Sequence, residues 1–139
     1  MSRFAWIVTL TALAAAPSAA QTAIPDVRGI WKGESESIVL GSAHPHHPAT
    51  QPNEPQFRSV AFTLTIDKQD GRRFSGTFSS ARSSEKVIAV ISRNGAILLA
   101  DDEGYTHGIM LAPNRMELCY LHVSSTTRIA SCTELTKQQ

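Results

Sequence analysis

The chain has 139 residues, 13 Lys and Arg against 12 Asp and Glu, and 42% hydrophobic residues. That balance, without a basic cluster, argues against a hold on nucleic acid or an electrostatic hold on anionic membranes. The length suits one domain with a single core.

Residues 1–20 read as a secretory signal peptide that is cleaved. Arg3 supplies the positive end, IVTLTALAAA the apolar stretch, and Ser18-Ala19-Ala20 the small-residue cleavage site. The apolar stretch is short for a membrane span. Cleavage leaves residues 21–139 as one domain. Loss of Arg3 brings the formal charge from +1 to 0, and no second hydrophobic segment follows. The expected product is soluble and periplasmic or secreted.

Val27 to Leu40 suits a first strand with Lys32, Glu34 and Glu36 outward and Trp31, Gly33, Ser35, Ser37 and Val39 inward. A large ring followed by small residues fits a ligand cavity or close packing of another strand, and Trp31 either contacts a ligand or plugs the barrel bottom. Residues 41–57 then break every periodicity. Pro45, Pro48, Pro52 and Pro55 exclude a helix or a central strand, which predicts an exposed extended loop, either mobile or a lid. Its His44, His46 and His47 are the metal-like feature of the chain, suited to Zn, Cu or Ni. The alternative is a solvated His-rich loop with adventitious affinity and no cofactor.

Arg58 to Lys68 alternates, with Val60, Phe62, Leu64 and Ile66 on one face, and Phe74, Gly76 and Phe78 continue the pattern. A three-residue turn, Gln69-Asp70-Gly71, would set Ile66 opposite Phe74 and Phe62 opposite Phe78. Ser79 to Ser84 is a polar connection.

Val87 to Leu135 reads as a ladder of hairpins. A two-residue type I′ turn at Asn94-Gly95 would pair Val90 with Leu99. A three-residue loop, Asp102-Glu103-Gly104, would set Leu99 opposite His107, and a type I turn at Ala112 to Arg115 would set Ile109 opposite Leu118. A last turn around Ser124 to Thr127 sets His122 opposite Ile129. Strand alternation then places Ile88, Val90, Ile97, Leu99, Ile109, Leu111, Met116, Leu118, Ile129 and Leu135 inside. Asp101, Tyr105, His107, Tyr120 and His122 join them at one end and, with Trp31, are the candidate ligand-binding residues. The other face is unusually apolar and would suit a homo-oligomer or another protein. Cys119 and Cys132 fall opposite each other across the last hairpin, which predicts a disulfide in an oxidising compartment.

Eight antiparallel strands in meander order predict an all-β fold, a single eight-stranded up-and-down barrel whose interior is filled or holds one small ligand. Asp26-Val27-Arg28-Gly29-Ile30-Trp31 resembles the G-x-W opening of the calycin barrels, the lipocalins and avidins. Arg73-Phe74-Ser75-Gly76-Thr77-Phe78-Ser79-Ser80 is similar to the G-x-[LF]-x-G-x-Y strand of avidins. The resemblance implies a secreted barrel. The biotin-site residues are not retained: Gly33 and Phe78 stand where avidins place a polar contact and a tyrosine, Ser80 keeps a hydroxyl, and Trp31 is the only tryptophan after residue 20.

Function is therefore expected to be binding. A small ligand near a His/Tyr rim leads and predicts a cavity on the order of 300 Å3 or more. A protein-interaction or envelope accessory module with a filled barrel is the alternative, and metal binding through His44, His46 and His47 is the third. No serine sits in a nucleophile-elbow context, and Asp101 and Asp102 alternate faces, so no catalytic residues and no enzyme are expected.

Overall fold

The computed structural model describes residues 23–139, so the signal peptide assigned to residues 1–20 lies outside the described residues. Eight strands follow one another: β1 (Gly29–Gly41), β2 (Gln56–Asp70), β3 (Arg73–Ser79), β4 (Ser84–Ile91), β5 (Ala96–Ala100), β6 (Tyr105–Ala112), β7 (Arg115–Val123) and β8 (Thr127–Lys137). Each pairs antiparallel with the next, and β1 also pairs with β8, which closes the barrel and leaves no free edge. The fold is an all-β, up-and-down barrel, with no helix among the described residues.

The interior has two halves. Val27, Trp31, Ile66, Phe74, Ile91, Ile97, Met116 and Leu135 fill the floor, the end at which β1 begins. Trp31 is fully buried and its Nε1–H donates to the Val27 carbonyl at 2.8 Å, so the large ring acts as the floor plug. Gln69 ties the segment before β1 across this end, accepting from the Val27 N–H at 2.9 Å and donating to the Pro25 carbonyl at 2.8 Å. Gly33 opens no space beside Trp31, because a Cβ there would meet the Glu134 backbone of β8. The close approach of two strands, not a cavity, explains that small residue.

The upper half is mostly polar. Ser35, Ser37, Ser131 and Thr133 are buried, and Ser37 Oγ lies 2.9 Å from both Ser35 Oγ and Ser131 Oγ. Buried hydroxyls that satisfy one another are tolerated where isolated ones are not.

The hairpin ladder departs from expectation at three turns. No non-glycine residue among those described has a positive φ, so Asn94 cannot occupy a type I′ turn, which needs positive φ at both central positions. Arg93-Asn94-Gly95 forms a three-residue loop instead. Gly95 takes φ +88° and donates to the Ser92 carbonyl at 3.1 Å, and Ser92 pairs back to Ala96. Val90 consequently faces Leu98, and β4 turns Val87, Ala89 and Ile91 inward in place of Ile88 and Val90.

Asp101 causes the second departure. Its carboxylate accepts the Glu103 N–H at 2.9 Å and the Gly104 N–H at 2.6 Å, which draws Asp101 out of the ladder and makes the loop four residues long. Tyr105 then pairs with Ala100, and Thr106 and Gly108 face inward while Tyr105, His107, Ile109 and Leu111 face out. The third departure is an irregularity between Met110 and Ala112, which shifts the β6–β7 register and restores parity. Met116, Leu118, Tyr120 and His122 therefore keep their expected face. At the β2–β3 turn, Gly71-Arg72 replaces Gln69-Asp70-Gly71, and an irregularity between Ile66 and Lys68 then sets Ile66 opposite Gly76 and Leu64 opposite Phe78; the inward faces are unchanged.

Cys119 and Cys132 are register partners and form a disulfide on the outer surface of β7 and β8. The bond fits an oxidising compartment. Among the described residues no helix is long and apolar enough to cross a membrane. The outer surface of β4 to β7 carries Ile88, Val90, Leu98, Tyr105 and Leu121 beside a groove of about 870 Å3.

Candidate functional site

The barrel mouth, opposite Trp31, is where polar chemistry gathers. The connection between β1 and β2 covers it, and its histidines are not solvated: His44, His46 and His47 are 7%, 4% and 2% exposed. Tertiary contacts override the expectation of an exposed loop. A buried connection is costly when its backbone donors go unpaired, and Pro45 and Pro48 have no N–H to satisfy. The His44 N–H donates to the His47 carbonyl at 2.9 Å, the Ser42 N–H to Thr126, and the Arg82 and Arg58 guanidinium groups to the carbonyls of Pro45 and Pro48.

Each histidine has different surroundings. His46 is fully engaged, with Nδ1 2.8 Å from Ser80 Oγ and Nε2 3.1 Å from Glu85 Oε1, and its ring packs edge-on to Phe62 and Phe78. His44 places Nε2 2.5 Å from Glu103 Oε2 and 3.4 Å from the Tyr120 hydroxyl. Its Nδ1 is buried without a partner. His47 stacks on Tyr120 and also holds a buried, unpartnered Nδ1. His122, from β7, brings its ring centroid to 4.8 Å from that of His44, with Nδ1 3.3 Å from the Tyr120 hydroxyl. Four of the chain's five histidines thus meet at one place.

Burial acts on the charge of His44, His47 and Tyr120. Desolvation lowers the His44 pKa against the opposing pull of the Glu103 carboxylate, and it lowers that of His47 to about 4, with His44 and His46 adding to the effect. The His47 ring is therefore neutral at neutral pH, and burial favours the neutral form of His44. The Tyr120 phenol is pushed up, first by burial and then by the carboxylates of Asp101, Glu103 and Glu85, so it remains a hydrogen-bond donor.

With the loop in place, the remaining cavity is about 30 Å3 and is bounded by His44, His46, His47, Phe62, Glu85 and Tyr120, among others. That volume accommodates a water or an ion. The expected space of hundreds of cubic ångströms is absent because three imidazoles occupy the upper barrel. No three His, Cys, Asp or Glu side chains among the described residues are already arranged around a metal position.

The sequence-derived candidates divide accordingly. Asp101 and Tyr120 line the cavity, and His122 borders it through Tyr120 and His44. Tyr105, 67% exposed, and His107 project from the outer surface of β6, and Trp31 lies at the far end. The β5–β6 turn explains the loss of Tyr105 and His107 from the mouth. Sequence reasoning missed Glu85, Glu103, Phe62 and Phe78 as surroundings of the histidines. Ser35, Ser37 and Ser131 supplied an available signal, since inward hydroxyls at one end require polar neighbours.

No protein-family model matches the chain, and no curated protein matches it. Among solved structures it is similar to a redesigned β barrel, at 6% identity over 81% of this chain and 92% of that one, with a TM-score of 0.48. It is also similar to the S-type phycobiliprotein lyase of Guillardia theta, at 12% identity over 81% of this chain and 89% of that one, with a TM-score of 0.38.

Proposed function

We propose that the protein is an exported, non-enzymatic barrel that binds a small ligand at its mouth, beneath the loop of residues 42–55. One observation supports this above all: the upper interior is closed by three buried imidazoles of a connecting loop, packed over strand residues that include the hydroxyls of Ser35, Ser37, Ser131 and Thr133. Strand residues build a permanent core. A loop with few backbone hydrogen bonds is a separable cover whose displacement exposes Glu85, Tyr120, His122 and the buried hydroxyls. Residues 1–20 and the Cys119–Cys132 bond support export.

Native mass spectrometry of the protein released from its own compartment tests the reading. A retained adduct that is lost from a Tyr120→Ala variant supports it, and a bare polypeptide mass contradicts it.

A second reading is favoured by the outer surface. Ile88 and Leu98 are 68% and 50% exposed on neighbouring strands, beside Tyr105. Such a face suits contact with another protein or a second copy of this chain, with the barrel serving as a scaffold.

A further inference from the structure

We propose that the barrel mouth holds a borderline divalent transition-metal ion, Zn2+, Ni2+ or Cu2+, through the Nδ1 atoms of His44 and His47. The inference names the ligand class of the mouth and rests on that mouth being a binding site.

Three independent features point to a cation of this kind. First, His44 and His47 are more than nine-tenths buried, and each leaves Nδ1 without a partner. Most buried polar groups find a hydrogen bond, so two orphaned nitrogens in neighbouring rings require an explanation. Their ring centroids are 6.0 Å apart. Two imidazoles sharing an ion through facing nitrogens have centroids roughly 5–6 Å apart, because each nitrogen stands roughly 2 Å from the metal.

Second, the tautomer of His44 is set from outside the cavity. Glu103 lies against Nε2, so the proton resides there and Nδ1 presents a bare lone pair. A carboxylate on the far nitrogen is how proteins orient a metal-binding imidazole and raise its basicity. His46 lacks this arrangement, since Ser80 and Glu85 occupy both of its nitrogens. The metal reading based on all three loop histidines therefore contracts to two of them.

Third, the space and charge suit an ion. The cavity is about 30 Å3, and its lining includes Glu85 and Asp101 but no Lys or Arg. Imidazole donors select zinc, copper and nickel over the harder calcium and magnesium. Two protein ligands leave positions for water or an exogenous donor, and the His122 ring lies 4.8 Å from that of His44.

Calorimetric titration of the mature, disulfide-intact, metal-stripped protein with Zn2+ and, separately, Ni2+ is the test. One site per chain is expected. His44→Ala and His47→Ala should each abolish it, while His107→Ala, on the outer surface, should leave it unchanged. Glu103→Gln retains every ligand and should weaken binding by roughly 10–100-fold. Circular dichroism verifies that each variant keeps its barrel. If a histidine variant misfolds, the Cu2+ electron paramagnetic resonance spectrum of the wild-type protein carries the test, with nitrogen hyperfine structure expected. A protein that takes up none of these cations, binding that survives both histidine substitutions, or a copper spectrum without nitrogen coupling overturns the inference. A mouth that retains an organic ligand but no metal overturns this inference alone, whereas an empty mouth removes the underlying reading as well.

Discussion

Glu103 Oε2 lies 2.5 Å from His44 Nε2, joining the β5–β6 turn to the loop that covers the barrel. Glu85 makes the equivalent contact with His46 from β4, at 3.1 Å. These two carboxylate–imidazole contacts hold the cover at neighbouring places on the rim, since β4 pairs with β5. Glu85→Ala removes the acceptor of a buried donor and should cost about 1–3 kcal/mol. Denaturant unfolding reads the loss, and faster hydrogen exchange confined to residues 42–55 would locate it. Unchanged exchange in that segment would mean that the cover is held by other contacts.

Trp31 belongs to the floor, at the end of the barrel away from the proposed site. Trp31→Ala should destabilise the barrel by about 3–5 kcal/mol through the cavity it leaves. Binding at the mouth should persist in the fraction that remains folded. Affinity that falls in proportion to the side chain removed at Trp31 would place the ligand at the wrong end of this account.

Tyr120 provides a pH-dependent signature. Burial, followed by the Asp101, Glu103 and Glu85 charges, holds its phenol above the ordinary value. Below about pH 10 the phenol is neutral in both folded and unfolded chains, so it adds no pH dependence. Above that, the unfolded chain releases the proton first, and stability falls as pH rises toward the folded-state value. Tyrosinate absorbance should show a step delayed beyond the usual range that disappears in Tyr120→Phe. A Tyr120→Phe titration identical to the wild type would contradict the burial.

The outer surface of β4 to β6 makes its own prediction. If that face mediates self-association, Leu98→Glu should convert an oligomer to a monomer in sedimentation velocity, without loss of thermal stability. A wild-type protein that is already monomeric at high concentration removes the second copy as its occupant.

Much of the barrel was legible because side-chain alternation in β1, β2, β3, β7 and β8 is a local property. The disulfide followed from the last hairpin alone. Tyr105 and His107 were misplaced because parity passes from hairpin to hairpin, and one extra loop residue inverts every strand after it. Asn94-Gly95 has the composition of a two-residue turn but forms a longer one, and the Asp101 side chain lengthens the next. The irregularity at Leu111 cancels the shift made at the Asp101 turn, which is why Tyr120 and His122 were placed correctly, whereas the longer Arg93-Asn94-Gly95 loop misplaced β4 alone. The inward turn of His44, His46 and His47 was hidden for another reason. Their partners Glu85, Ser80, Glu103 and Tyr120 lie 34 to 76 residues away, and proline-rich composition reports only that a segment is not regular.

The proposed function puts the binding site in the mouth beneath residues 42–55. Hydrogen exchange tests it most directly, comparing protein as released from its own compartment with the same protein after unfolding and refolding to strip bound material. Greater protection is expected before stripping, concentrated in residues 42–55, the start of β4 and the β5–β6 turn. Equal exchange in the two samples, or protection confined to Ile88, Leu98 and Tyr105, would contradict it.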